Sequence, residues 1–447
     1  MSNSMTQGNP LKVMLQFAFP LLIGNLLQQT YNIIDAAIVG QSLGAQALAS
    51  VGASTSVQFL VLGFCMGSCT GFGIPVAKYF GAGDLKHMKN IIFNGAVLTA
   101  VIAVIITVLC TLLCPWILQV LSVQSDIYAN AYSYLMIIFL GLPFTLLYNY
   151  LSSILRAVGD SRTPFLFLAF SAVLNIFLDL FFILVAGWGC AGAAFATIAA
   201  QAISGILCLI VIIRRMEVLW LSKENRVVRG DSITELLQMG LPTGLQFSIT
   251  AIGSMVMQSA NNGLGGDYVS AFTAGAKLKQ FTMCPFDAIA TSVSVFCSQN
   301  YGAGKKDRIK SGYHISIRLL ICWAALITIA FVFFPRQISV LFFHEEEVIR
   351  LSVDYLRIIG FSEIFLSVEM MTVGALSGLG RTQLCSLISV GLTVIRIPLA
   401  LVLSNTALGL NGIWWALTLS TVSKGIIFYF VFQYICEHSL LRTSNRS

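Results

Sequence analysis

Two carboxylates sit in stretches apolar enough to lie in lipid. Asp179 falls in "SAVLNIFLDLFFIL" (171–184), where Ser171, Asn175 and Asp179 recur every fourth residue and share one helix face. In another apolar stretch Gly24, Gln28, Asn32 and Asp35 fall at i, i+4, i+8 and i+11, with Tyr31 alongside. A third lines up Ala193, Thr197 and Gln201, and a fourth contributes Tyr134 and Asn149. A carboxylate at the bilayer centre costs about 2.5–3.5 kcal/mol on insertion scales, so such groups face a bundle interior or water. Two acids with an amide, a hydroxyl and a phenol at one level make an ion or proton site.

Depth supports the grouping. At about 1.5 Å per residue, Asp35, Tyr134, Asp179 and Thr197 each lie roughly 8–14 Å below the outer ends of their helices. The two carboxylates are then close enough to govern each other's protonation. The competing role is structural: interhelical hydrogen bonds, worth about 0.6 kcal/mol each, suit Asn175, Thr197 or Tyr134 taken singly. They suit the acids less well, because a serine or an amide would join helices more cheaply. Asp35 is also near enough to the outer interface to be wetted there.

Further charges lie inside apolar stretches of the second half. Asp287, Glu363 and Glu369 have no matching stripe and stand as a possible secondary site. Lys277 and Lys279 are expected to pair with Asp287 or to snorkel, and Arg396 and Lys424 complete the set of buried-segment cations.

The elements that must position these residues are membrane spans. Of 447 residues only 10% are charged and 57% are hydrophobic, with a mean hydropathy of +0.85. Soluble domains carry about 25% charged residues. Apolar runs long enough to cross a hydrocarbon core of about 30 Å recur throughout. Residues 1–10 are polar, and the apolar segment after Pro10 runs to about Gly40 without a cleavage site; it reads as a first span, not a signal peptide, and no large soluble domain is expected. Eleven cysteines are scattered, with Cys65/Cys69 and Cys110/Cys114 four apart and no CxxC; the histidines 87, 314, 344 and 438 do not cluster. Cysteine therefore serves as a small apolar contact residue, and no metal site or cofactor is expected beyond an ion at the acids.

Twelve spans are predicted, at 11–40, 45–80, 90–113, 126–150, 162–188, 191–214, 233–259, 268–300, 310–334, 350–378, 382–405 and 411–436. Most of the 26 Lys and Arg residues fall at the N-terminus, after even-numbered spans or at the C-terminus, as in Arg214, Arg215, Lys223, Arg226 and Arg229. The opposite loops hold Arg336 and Arg350 beside Glu345, Glu346 and Glu347. This asymmetry places both termini in the cytoplasm of a multi-pass cell-membrane protein. The +7 net charge is thus a topology signal, and no nucleic-acid partner is implied.

The chain also repeats at a spacing of about 220 residues. "FAFPLLIGNLLQQ" (17–29) resembles "MGLPTGLQFSITA" (239–251), with Pro20 matching Pro242. "YFGAGDLKHMK" (79–89) resembles "NYGAGKKDRIK" (300–310); "LRAVGDSRTP" (155–164) resembles "LSGLGRTQL" (376–384); "GCAGAAFAT" (189–197) resembles "GLNGIWWAL" (409–417). Six spans per half return the chain to its starting side, so the repeats are parallel. The expected architecture is an all-α integral membrane protein: twelve transmembrane helices in two parallel six-helix repeats forming two lobes. The lobes are 1–225, including a connecting loop from about 214, and 226–447, with 214–231 as a charged linker. Asp35 is matched by Met257 and Asp179 by a position near Pro398, so ion coupling is assigned to the first half.

With these features the chain resembles the multidrug and toxic compound extrusion (MATE) family over essentially its whole length. The resemblance rests on the two six-span halves and on "PLLIGNLLQQTYNIIDAAIVGQSLGAQALA" (20–49), "LRAVGDSRTP", "LNIFLDLFFI" (174–183) and "QNYGAG" (299–304). It implies a cation-coupled exporter of amphipathic, often cationic, organic compounds. In the branch most similar here, the coupling acids lie in the N-terminal half. By that match Asp35 and Asp179 carry H⁺ or Na⁺, Asn175 and Thr197 complete the site, and Tyr134, Gln28, Asn149 and Asn32 form its polar surroundings. Pro20 resembles the proline at which helix 1 bends. Another branch uses acids in the second half, where this chain has Glu363 and Glu369.

The implied mechanism is antiport by alternating access. One charge moving inward through about 100 mV supplies roughly 2.3 kcal/mol, on the order of fifty-fold in gradient. The transported molecules meet an apolar and aromatic lining, and a monomer in membrane lipid suffices. A lipid-linked precursor flippase of the same superfamily is the alternative. An enzyme is disfavoured by the lack of HExxH, GxSxG or a histidine cluster, and a channel by the lack of a filter-like loop.

Overall fold

The computed structural model describes residues 4–121, 123–262, 266–406, 408–409 and 411–438, and every regular element among them is helical. In chain order they are α1 (Pro10–Leu43), α2 (Ala45–Ala82), α3 (Leu85–Val120), α4 (Ser125–Leu140), α5 (Leu142–Ala157), α6 (Arg162–Leu180), α7 (Gly189–Arg215), α8 (Gly230–Asn262), α9 (Gly266–Gly302), α10 (Lys306–Phe333), α11 (Pro335–Val340), α12 (Glu346–Gly360), α13 (Glu363–Gly378), α14 (Thr382–Ser404) and α15 (Asn411–His438). Among the described residues, nine single helices and two bent pairs are long and apolar enough to span a bilayer. With α8, long enough at 33 residues but more polar, the passes number twelve.

Two expected spans are each broken. The span expected over 126–150 is α4 plus α5, meeting at 45° around Gly141, and the one expected over 350–378 is α12 plus α13, meeting at 48°. Pro143, near the start of α5, lacks an N–H, which accounts for the first break. The second lies in the matching place of the other repeat without a proline, at Phe361 and Ser362. The span expected over 162–188 ends its α-helix at Leu180 and continues as a π-helical turn, Phe181–Val185.

The repeat is physical as well as textual. Gly83 and Gly304 stop α2 and α9 with φ of 75° and 70°, and Gly159 and Gly380 stop α5 and α13 with φ of 85° and 78°. After each, the next residue donates its N–H five residues back: Asp84 to Tyr79, Asp160 to Leu155, Lys305 to Asn300 and Arg381 to Leu376, at 2.9–3.0 Å. Only glycine enters that left-handed conformation without steric cost. The caps that follow have diverged. Asp84 accepts from the His87 N–H, and Asp160 from the N–H groups of Arg162 and Thr163, whereas Lys305 and Arg381 give their helices no side-chain cap.

The chain divides into two compact units. One covers Phe19–Ser248, and the other combines Met5–Ala18 with the chain from Ile249 onward. Each therefore takes a short segment from the other half of the sequence. In the first, Gly67 and Gly71 of α2 let the start of α8 approach: a Cβ on Gly71 would meet the Met239 carbonyl oxygen at 2.6 Å. The 214–231 linker does not hang free. Asn90 donates to the carbonyls of Asn225 and Val227, Asn94 also to Val227, and Asn94 Oδ1 accepts from the Arg229 N–H. In the second unit, Arg308 donates to the carbonyls of Met5, Gln7 and Gly8, and Met5 donates to Gln299 Oε1, fixing the segment ahead of α1.

Candidate ion-coupling site

The polar stripes on α1 and α6 meet. Gly24 makes room: a Cβ there would touch Leu168 and Phe165 of α6 at 3.3 and 3.5 Å. Three turns further along α1, the Asp35 carboxyl lies in hydrogen-bonding contact with that of Asp179. Asp179 is wholly buried and Asp35 partly so. One oxygen of each, Oδ1, has no protein donor. Two carboxyls in such contact favour sharing one proton over both being charged.

Asn175, one turn before Asp179 and itself buried, holds the second acid. Its amide NH2 donates to Asp179 Oδ2 at 3.3 Å, and its amide oxygen accepts from the backbone N–H of Thr197 at 3.3 Å. Thr197 thus contributes its main chain, while its hydroxyl donates to the Ala193 carbonyl of its own helix. Asp179 sits at the last turn of regular α6, just before the π-helical turn; such local unwinding recurs at functional sites.

Phenols surround the pair. Tyr31 is hydrogen-bonded to Gln28 and lies in the field of both acids. Tyr134 is buried beside Val39, Ala193 and Ala194, is hydrogen-bonded to Gln58, and also feels both acids. Gln58, on α2, was not singled out by its sequence pattern, although it follows Ser54 by one turn inside an apolar run. Asn32 is exposed, and Asn149 is only partly buried with its amide turned to the Thr145 carbonyl of its own helix. Neither is drawn into the group around the acids. Pro20 is buried within a continuous α1, two residues past the point where the chain leaves the second unit at Ala18.

The acids of the second half are arranged otherwise. Glu363 is fully buried and faces Lys279 at 3.8 Å, and Glu369 faces Lys424 at 3.5 Å. Asp287 is exposed. Lys279 thus pairs with Glu363 and not with Asp287, because α9 turns the two residues to different surroundings. Met257, the counterpart of Asp35, is buried in an apolar cluster with Tyr355 and Trp414. No group of three or more His, Cys, Asp or Glu side chains able to hold a metal occurs among the described residues.

The MatE family model matches residues 20–181 and 242–402, one copy in each repeat. The chain belongs to the MatE family. Among relatives of this MatE chain, the probable multidrug resistance protein YpnP of Bacillus subtilis is 30% identical over 96% of both chains. The FAD transporter of Shewanella oneidensis is 24% identical over 95% of each. The solved structure described as MATE in the bent conformation superposes with a TM-score of 0.92 at 21% identity over 98% of each chain. The fold is therefore the two-lobe, twelve-helix MATE fold of a multi-pass membrane protein. The relatives are named as resistance proteins and transporters, not as enzymes.

Proposed function

We propose that this chain is a secondary active multidrug exporter that antiports amphipathic, often cationic, organic compounds against H⁺ or Na⁺ by alternating access. The observation that carries this reading is the contact of Asp35 with Asp179, two acids on separate membrane helices that each keep one buried oxygen without a protein donor. Bound H⁺ or Na⁺ neutralises the pair, and its loss restores a negative site able to hold an organic cation; the two states exclude each other electrostatically. Asn175 and the Thr197 main chain hold Asp179, while Tyr31, Gln28, Tyr134 and Gln58 supply polar partners around it. Pro20 cannot donate to the Gln16 carbonyl, so it is the weak point at which α1 bends as the site changes charge. The repeats, divided near residue 225, act as two lobes, with both termini cytoplasmic in the cell membrane and the monomer as the working unit.

The FAD transporter among the relatives indicates that the scaffold carries more than one class of organic molecule. Neither named relative is a flippase, and multidrug export is the reading favoured here. Ion release tests it. Adding an organic cation such as ethidium to the purified protein in detergent releases a proton, or displaces Na⁺, from the wild type. Asp35→Asn and Asp179→Asn abolish that exchange; exchange that persists in both excludes these acids.

A further inference from the structure

The second unit holds more positive than negative charge at membrane depth. Lys279 is matched by Glu363, and Lys424 by Glu369, with the Lys424 ammonium also donating to the Thr393 hydroxyl at 3.0 Å. Arg396 is left over. Its Nε is buried without a partner, and no carboxylate among the described residues comes within ion-pair distance of it. The nearest opposing charge it feels is Glu369, already engaged by Lys424. Lys424 in turn lies in the field of both Arg396 and Lys279, so the three cations share one neighbourhood on α9, α14 and α15.

Arg396 is eight residues from the end of α14 at Ser404, about 12 Å along the helix axis. It is two residues from the position that answers to Asp179 in the repeat. A guanidinium there cannot lose its proton, and it is partly exposed. Ionisable groups at such depth face an aqueous path or a charged partner. The described residues supply no ion-pair partner, so the exposed side of the guanidinium is open to an acid from outside.

We propose that Arg396, backed by Lys424 and Lys279, is a subsite for an acidic group, a carboxylate or phosphate, carried by the transported molecule. The preferred substrates are then zwitterionic or acidic amphiphiles: the acid meets Arg396 through the planar fork that suits carboxylate and phosphate. This inference rests on the export reading above but makes its own prediction about substrate class. The main rival source of the acid is an anionic lipid headgroup.

The test uses the full chain in nanodiscs and two probes that differ in one group, a rhodamine with a free carboxylate and its methyl ester. Fluorescence polarisation is expected to give tighter binding of the acid by about tenfold in wild type, the order of one charge-assisted bidentate contact. Arg396→Gln brings the ratio near one, and Arg396→Lys, which keeps the charge, retains most of it; binding of the ester reports that each variant is folded. An acid-to-ester ratio near one in wild type, or one unchanged in Arg396→Gln, overturns the subsite. Adding phosphatidylglycerol to discs of phosphatidylcholine leaves the ratio unchanged if the acid belongs to the transported molecule. Collapse of the ratio assigns Arg396 to lipid and overturns the proposal. Because ion-driven efflux of the methyl ester is measured separately, failure here is distinguishable from failure of the export reading.

Discussion

Asn175 bridges two helices at the acid pair: one end of its amide donates to Asp179 Oδ2, and the other accepts from the Thr197 N–H, each at 3.3 Å. This engages Oδ2 of the Asp179 carboxyl, the acid in contact with Asp35, and leaves its Oδ1 without a protein donor. A hydrogen bond to a charged group contributes about 1.5–3 kcal/mol. Asn175→Leu should therefore shift the affinity for the coupling ion by roughly ten- to a hundredfold without abolishing transport, toward tighter binding if the ion is H⁺ because the lost donor favours the charged carboxylate, read as a shift in the ion concentration for half-maximal efflux. An unchanged half-maximal concentration would show that Asn175 only joins helices.

Gln58 and Tyr134 are hydrogen-bonded side by side near the acids. Tyr134→Phe and Gln58→Leu each remove that bond, at a cost of about 0.5–1.5 kcal/mol, and the double variant should cost less than the sum. Thermal unfolding in detergent measures the structural share, and ion affinity measures the share felt at the acids. Strictly additive effects on both readouts would show that the two residues do not act together.

Lys279 is the only ion-pair partner of fully buried Glu363 among the described residues. Lys279→Met strands the carboxylate and should destabilise the protein by about 3–5 kcal/mol, whereas Lys279→Met with Glu363→Leu should recover most of it. Melting curves of the two variants decide this. Equal melting temperatures for the single variant and wild type would place Glu363 in contact with water, and revive it as a second ion site.

The local part of the site was legible in the sequence, and the tertiary part was not. Four-residue spacing put Ser171, Asn175 and Asp179 on one face, and in the structure Asn175 meets Asp179 and Thr197 while Asp179 meets Asp35. Spacing along one helix carries no information on which other helix it meets, so it reveals neither Gln58 beside Tyr134 nor the pairing of Lys279 with Glu363, where the sequence points to Asp287 or to snorkelling. Asn32 fits the α1 stripe by period yet is exposed, since a helix face wider than the contact leaves its margin uncovered. The glycine stops were visible as GAG and VGD or LGR triplets in both repeats. Pro143 marks the break at Gly141, but the one at Phe361 has no such signal, because apolar helix without a proline continues on both sides of it.

Efflux of a fluorescent organic cation from proteoliposomes, driven by a proton or a sodium gradient imposed separately, tests the coupling role of the acid pair most directly. Wild type should expel the dye under one of the two gradients, and Asp35→Asn and Asp179→Asn should each reduce gradient-driven efflux to the passive leak. Gradient-driven efflux at the wild-type rate in both variants would contradict the account and leave the two acids as interhelical contacts.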